Sequence, residues 1–218
     1  MRIRIKVCGI TTGRDAQMCV DAGADALGFV FYDKSPRRIQ VEDAARIGRD
    51  VPPYVARIGV FVQEDPASLA SLMNRARLSA AQLHGDQDDD FCRDLDLDWY
   101  PVFRVADDRD IAVAAGRIAN LNGRAFMLDS RSPSAPGGTG GAFDWRLAAK
   151  LSMRTSGLTG AARSRMILAG GLTPENVEAA IRTARPWAVD VSSGVERAPG
   201  LKDPDLVKNF IEAVRCVG

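Results

Sequence analysis

Cys8 and Asp129 are the residues whose types and positions best suit proton transfer on a small substrate. Each stands just beyond a candidate strand, residues 3–7, where charged and apolar residues alternate, and the apolar run 125–128, and each is followed by a small residue, Gly9 or Ser130. A thiol and a carboxylic acid can each exchange a proton, so the pair could supply an acid and a base on opposite sides of a sugar. Both also have ordinary explanations. A free cysteine is commonly a small buried hydrophobe, and an aspartate beyond a strand can cap a helix or anchor a loop.

Two glycine-bearing segments offer a seat for an anion. Gly170-Gly171 precedes Thr173-Pro174, which reads as a helix start, and Ser192-Ser193-Gly194 follows the last apolar run. Glycines let backbone amides approach an anion closely, and a helix N-terminus adds positive potential. The same glycines could simply make tight turns. A further cluster, Gly137-Gly138-Thr139-Gly140-Gly141, has no lysine after it and lacks the GxGxxG spacing, so neither a P-loop nor a dinucleotide site is expected. It reads as a lid over a substrate or as a solvated linker. One histidine, His84, is too little for the ligand clusters of metal enzymes, so no metal site is expected. His84 is a candidate substrate contact, the other reading being a packed or hydrogen-bonded strand-end residue.

The elements between these residues decide whether they can meet. Candidate strands cover residues 3–7, 25–31, 55–62, 80–83, 100–105, 125–128, 166–168 and 188–191, several of them apolar on both faces, as parallel strands covered by helices are. Asp65-Pro66, Thr173-Pro174 and Asp203-Pro204 each put a side-chain oxygen ahead of a proline, a helix start signal. Behind them Leu69, Leu72, Met73 and Ala76 recur at helical spacing, as do Val177, Ala180, Ile181 and Ala184, and Val207, Phe210, Ile211 and Val214. Each set forms one apolar stripe to lay on a sheet.

Strict alternation of eight strands with about eight helices predicts an α/β fold with a parallel sheet. At this length the expected form is a (β/α)8 TIM barrel, a closed eight-stranded sheet surrounded by helices, making one domain of residues 1–218; a doubly wound open sheet is the rival. Function in a barrel gathers where strands end. Those positions hold Cys8-Gly9, Ser35-Pro36-Arg37-Arg38, His84-Gly85, Arg104 and Asp129-Ser130. The loops after strands seven and eight are the fold's recurrent phosphate site, which favours the anion reading of Gly170, Gly171, Ser192, Ser193 and Gly194. Residues 152–164, rich in Gly and Ser, read as a long helix-to-strand connection on the opposite face.

Composition narrows the class. A chain of 218 residues, 46% hydrophobic and 26% charged, suits a soluble protein with one full core. Its net charge of +1 leaves no electrostatic footprint for nucleic acid or an anionic membrane. Cys8, Cys19, Cys92 and Cys216 form no CxxC pair, and no segment reads as a signal peptide or membrane span. Reduced thiols in a cytoplasmic protein are therefore expected.

Several segments together resemble the phosphoribosylanthranilate isomerases. They include Lys6-Val7-Cys8-Gly9-Ile10-Thr11, residues 24–31 leading to Ser35-Pro36-Arg37, Gln82-Leu83-His84-Gly85 and Leu128-Asp129-Ser130. Gly138-Thr139-Gly140 ahead of Phe143-Asp144-Trp145 follows, then residues 168–177, Val189-Asp190-Val191-Ser192-Ser193-Gly194-Val195-Glu196 and Lys202-Asp203. These run the length of the chain in the family's order.

The resemblance implies an Amadori rearrangement without cofactor or metal, in tryptophan biosynthesis. It converts N-(5-phospho-β-D-ribosyl)anthranilate to 1-(2-carboxyphenylamino)-1-deoxy-D-ribulose 5-phosphate. Carried over at matching positions, Asp129 is the general acid and Cys8 the general base. Arg37 binds the anthranilate carboxylate, Asp190 lies near the sugar hydroxyls, and Gly171, Ser193 and Gly194 fall in the phosphate loops. The partner is then a small phosphosugar, not a nucleic acid or membrane, and the chain works as a monomer or homodimer. A thiol titrating near about 8.5 would hold a useful thiolate fraction at neutral pH, and the acid should have a raised pKa. Gln87 departs from the acidic residue common after the His-Gly pair. Cys8 argues against the histidine-pathway isomerase, which uses two aspartates. A silent phosphate binder would have lost the acid or the base.

Overall fold

The computed structural model describes residues 2–85, 95–120, 125–130, 144–155 and 165–217. Eight strands, β1 (Arg4–Cys8), β2 (Ala26–Val30), β3 (Ala56–Val62), β4 (Ala80–His84), β5 (Trp99–Val105), β6 (Phe126–Ser130), β7 (Met166–Leu168) and β8 (Ala188–Val191), form a closed parallel barrel in sequence order. The closing pair is β8 with β1, where Lys6 lies beside Asp190 and Val7 beside Val191. That ladder rules out the open sheet.

Helices α1 (Gly13–Ala22), α2 (Val41–Asp50), α3 (Pro66–Arg75), α4 (Asp108–Ala119), α5 (Trp145–Thr155), α6 (Val177–Ala184) and α7 (Pro204–Arg215) connect the strands among the described residues. A short 3-10 turn, Ser193–Val195, and an antiparallel hairpin, β9 (Glu196–Ala198) and β10 (Leu201–Lys202), separate β8 from α7.

Local signals place the helices. Asp65 accepts hydrogen bonds from the amides of Ala67 and Ser68 at 3.1 and 3.0 Å, and Asp203 does the same for Asp205 and Leu206. Each thereby satisfies amides that have no partner within the helix. The third expected start differs. Regular helix begins at Val177, not at Thr173-Pro174, because Asn176 holds the preceding residues in a turn. Its side-chain oxygen accepts from the Thr173 amide at 2.8 Å and its amide nitrogen donates to the Gly171 carbonyl at 2.9 Å. The apolar stripes behave as expected: Val207, Phe210, Ile211 and Val214 of α7 are all buried, as are Val177, Ala180, Ile181 and Ala184 of α6.

Alternation along the strands sorts side chains into two populations. Outward residues such as Ile5, Val7, Leu27, Phe29, Leu128 and Val189 pack with the helices in the main core. Inward residues Ile58, Tyr100, Val102, Met127 and Ile167 form a second cluster that fills the barrel. Three strands run further at their carboxyl ends than expected. β1 continues to Cys8, β4 to His84 and β6 to Ser130, so Cys8 and Asp129 are still within the ladder, Asp129 in register with Arg104. No helix among the described residues is long and apolar enough to cross a membrane. Gln87, Cys92, the cluster Gly137–Gly141 and most of residues 152–164 lie outside the described residues.

Candidate active site

Lys6 and Cys8 are two residues apart on β1, so their side chains share one face of the strand, the barrel interior. Lys6 donates through Nζ to Asp190 Oδ1 at 2.8 Å, and both side chains are almost wholly buried. An unpaired ion there would be unfavourable by several kcal/mol, so each charge depends on the other. Burial works most strongly against the Lys6 ammonium, but the charge of Asp190, the neighbouring Cys8 and Tyr100 and the hydrogen bond to Asp190 together outweigh it and keep the lysine charged.

Cys8 sits directly above this pair. Burial pushes its thiol up, while the charge of Lys6 and a hydrogen bond from it pull the other way. Burial wins, so the resting group at neutral pH is the thiol. This corrects the expectation of an appreciable resting thiolate, which ignored desolvation. Asp129 responds in the direction expected of an acid: burial raises it most, the neighbouring charge of Asp190 adds to that, and Arg104 opposes. Cys8 and Asp129 are thus both subject to the Lys6–Asp190 pair.

Opposite, the buried polar side chains are joined by neutral hydrogen bonds. The Tyr100 hydroxyl donates to Gln82 Oε1 at 3.0 Å, and Gln82 Nε2 lies 2.8 Å from His84 Nε2, which accepts from it when the ring proton is on Nδ1. Burial, then the charges of Arg104 and Lys6, lower His84 to about 4, so the imidazole carries no charge at neutral pH. His84 is therefore a hydrogen-bonded strand-end residue that also lines a groove with Gly85 and Arg104.

Arg37 reaches the mouth from the segment after β2. Its Nε donates to both Glu196 oxygens, at 2.9 and 3.1 Å, and Nη2 to Oε2 at 2.6 Å. The methylene stem crosses Gly9, where any Cβ would stand 2.7 Å from Arg37 Cδ and 3.2 Å from Ser192 Oγ. Only glycine at that position lets the arginine lie beside the residue after Cys8. The Ser192 hydroxyl in turn donates to the Cys8 carbonyl at 3.1 Å.

The two glycine segments adjoin each other. A side chain at Gly194 would run into the Leu172 carbonyl oxygen, and Gly170 abuts Ser130, the neighbour of Asp129. Ser192, Ser193 and Gly194 on one side and Gly170 and Gly171 on the other therefore border one end of the barrel, the end that holds Cys8, Asp129 and Arg37. Among the described residues no group of three or more His, Cys, Asp or Glu side chains converges as a metal site.

Comparison with known proteins settles the family. The model of N-(5'-phosphoribosyl)anthranilate isomerase matches residues 5–213. The chain belongs to the N-(5'-phosphoribosyl)anthranilate isomerase family. A relative of that name from Trichlorobacter lovleyi is 47% identical over 209 residues, covering 96% of each chain. Another, from Thiobacillus denitrificans, is 44% identical over 216 residues, covering 99% of this chain and all of its own. The crystal structure of the isomerase from Thermotoga maritima superimposes with a TM-score of 0.87 at 42% identity, covering 98% of this chain and 99% of that one. A phosphoribosylanthranilate isomerase solved with reduced 1-(o-carboxyphenylamino)-1-deoxyribulose 5-phosphate gives 0.84 at 40% identity, with the same coverage.

The activity is accordingly that of a phosphoribosylanthranilate isomerase, an aldose–ketose isomerisation in tryptophan biosynthesis. Three of this isomerase's site-lining residues had no role assigned from sequence. Lys6, Glu196 and Lys202 all fall inside the motifs that carry the family likeness, yet Lys6 and Glu196 pair with Asp190 and Arg37 far along the chain, while Lys202 pairs with Glu196 six residues away. A lysine two residues before Cys8 in a strand buried on both faces was the one available signal.

Proposed function

We propose that this isomerase opens the ribosylamine ring with Asp129 and removes the C2 proton with Cys8. Asp129, as the carboxylic acid, protonates the ring oxygen; the C1–O bond breaks as the anthranilate nitrogen's lone pair forms the C1=N bond of a Schiff base. The Cys8 thiolate then takes the C2 proton, and the C2–H electrons form C1=C2 while the C=N pair returns to nitrogen. The resulting enolamine tautomerises to the ketone. Every step is a proton transfer or a bond shift within the substrate, so the scheme calls on no cofactor or metal.

The observation that carries this reading is the Lys6–Asp190 pair beneath both groups. The acid–base pair needs one proton, on Asp129, with Cys8 ionised. Since the thiol is the weaker acid, that arrangement is the minor one of two singly protonated forms, and the buried Lys6 ammonium is the cation that keeps it accessible.

The remaining residues hold the substrate. Arg37 receives the anthranilate carboxylate, and backbone amides around Gly170, Gly171, Ser192, Ser193 and Gly194 receive the phosphate. Asp190, tied to Lys6 through Oδ1, would meet a sugar hydroxyl with Oδ2, and His84 contributes a neutral ring. All of these residues belong to one chain, so a monomer and a homodimer are equally competent; the Thermotoga maritima relative is described as dimeric. We place the enzyme in the cytoplasm.

Replacing Asp129 tests the scheme. Asp129→Asn removes the only proton that opens the ring, so kcat should fall about 10²–10⁴-fold. Turnover is followed by the loss of anthranilate-type fluorescence. A folded Asp129→Asn protein with wild-type kcat would remove Asp129 from the reaction.

A further inference from the structure

We infer that Glu196 and Lys202, on the β9–β10 hairpin, are positioning residues for substrate-carboxylate recognition: Glu196 fixes the Arg37 guanidinium, and Lys202 keeps Glu196 from using up its charge. The inference rests on the assignment of Arg37 to the anthranilate carboxylate and deepens it.

An arginine facing a buried glutamate is ordinarily spent, since the ion pair is already complete. Here the glutamate is shared. Glu196 Oε1 accepts from Lys202 Nζ at 2.8 Å, from Arg37 Nε at 2.9 Å and from the Gly200 amide at 3.2 Å. Lys202 is wholly enclosed and Glu196 nearly so, whereas the Arg37 side chain keeps 23% of its surface open. Two cations thus converge on one carboxylate, and the accessible one faces outward. Burial opposes the Glu196 carboxylate, but the bonds from Arg37 and Lys202 outweigh it, so it stays ionised. Asp15 is the other acid nearby; its carboxylate accepts from the Lys202 backbone amide at 3.2 Å, not from the ammonium, and it lies in the first turn of α1, where the helix end favours a negative charge.

The geometry of the guanidinium completes the argument. Its five N–H donors present two separate edges, one formed by Nε with Nη2 and one by Nη1 with Nη2. Glu196 occupies the first edge, which leaves the second for a carboxylate brought by the substrate. The same hairpin reaches the phosphate side, because Lys202 Nζ also donates to the Ser192 carbonyl at 3.2 Å. One buried lysine therefore braces both ends of the site.

The test is a double-mutant cycle read as kcat and KM for N-(5-phosphoribosyl)anthranilate. Glu196→Gln should raise KM about 10-fold with little change in kcat, the scale of a lost charge-assisted contact. Lys202→Met should do likewise, and Lys202→Arg should retain most of the affinity. In an Arg37→Met background Glu196→Gln should add nothing, because it acts only through the arginine. A folded Glu196→Gln enzyme with unchanged KM beside a damaged Arg37→Met overturns the positioning role alone. So does a loss in the double variant equal to the product of the two single losses. If Arg37→Met itself leaves KM unchanged, the carboxylate assignment fails and this role with it. Should Glu196→Gln not fold, Glu196→Gln/Lys202→Met removes both buried charges together, and wild-type KM in that protein overturns the inference.

Discussion

The sector of the barrel around β8, β1 and the segment after β2 holds Lys6, Asp190, Lys202, Glu196 and Arg37, all of them in ion pairs. Across the barrel, β4 and β5 present Gln82, Tyr100 and His84, joined by neutral hydrogen bonds. Both sectors reach from the barrel interior to its mouth, yet only one encloses charged side chains. The charged sector carries Cys8, lies beside Ser192, which is proposed to border the phosphate, and holds the arginine proposed for the carboxylate. On the roles proposed above, charge is buried on the side where an anionic substrate and a thiolate would be stabilised, and the side chains facing it are held by neutral hydrogen bonds.

Breaking one pair in each sector should expose the difference. Lys6→Met leaves Asp190 enclosed without its cation, and breaking a buried pair from one side costs about 3–5 kcal/mol. Denaturant unfolding should show that loss, and kcat should fall with it because the thiolate loses its neighbouring charge. Stability within 1 kcal/mol of wild type, an estimate set by the cost of an ordinary hydrogen bond, would mean the pair is not the anchor described.

Next in size is Arg37→Met, expected to lower kcat/KM by roughly 10–100-fold. Arg38 pairs with Asp33 at an exposed site, so Arg38→Met should change it little. Equal effects from the two would put the carboxylate pocket elsewhere.

The smallest effect belongs to the neutral wall. His84→Gln should leave kcat between pH 6 and 8 within about threefold, since an uncharged ring supplies no titrating group there. Its effect on stability has a sign. The unfolded imidazole takes up a proton below its ordinary value, whereas the folded one waits until about 4. Wild type should therefore lose stability as pH falls between those values, and His84→Gln should remove that part of the slope. An unaltered slope would count against a buried neutral ring.

Much of this was legible in the sequence because periodicity survives without knowledge of contacts. The alternation that gave β1 through β8 needs only apolar runs and helical stripes, and Cys8, Asp129 and the glycine segments stood out because strand ends are where apolar runs stop. Pairings were not legible. Lys6 and Asp190 are 184 residues apart, and Arg37 and Glu196 159 apart, so no local pattern announces either bond. The start of α6 departs from the Thr173-Pro174 signal for a local reason: Asn176 closes a competing turn. The state of Cys8 is not legible either, because burial, not residue type, sets it.

The pH dependence of kcat/KM for wild type and Cys8→Ser tests the acid–base pair most directly. Wild type should follow a bell, since the productive enzyme holds one proton between Asp129 and Cys8. Its acid limb should lie above the ordinary aspartate value and its alkaline limb above that of an ordinary thiol, because burial raises both groups. Serine is too weak an acid to replace the thiol, so Cys8→Ser should lower kcat about 10²–10⁴-fold, leave KM nearly unchanged and abolish the alkaline limb. A folded Cys8→Ser enzyme that keeps both its rate and that alkaline limb would contradict the account.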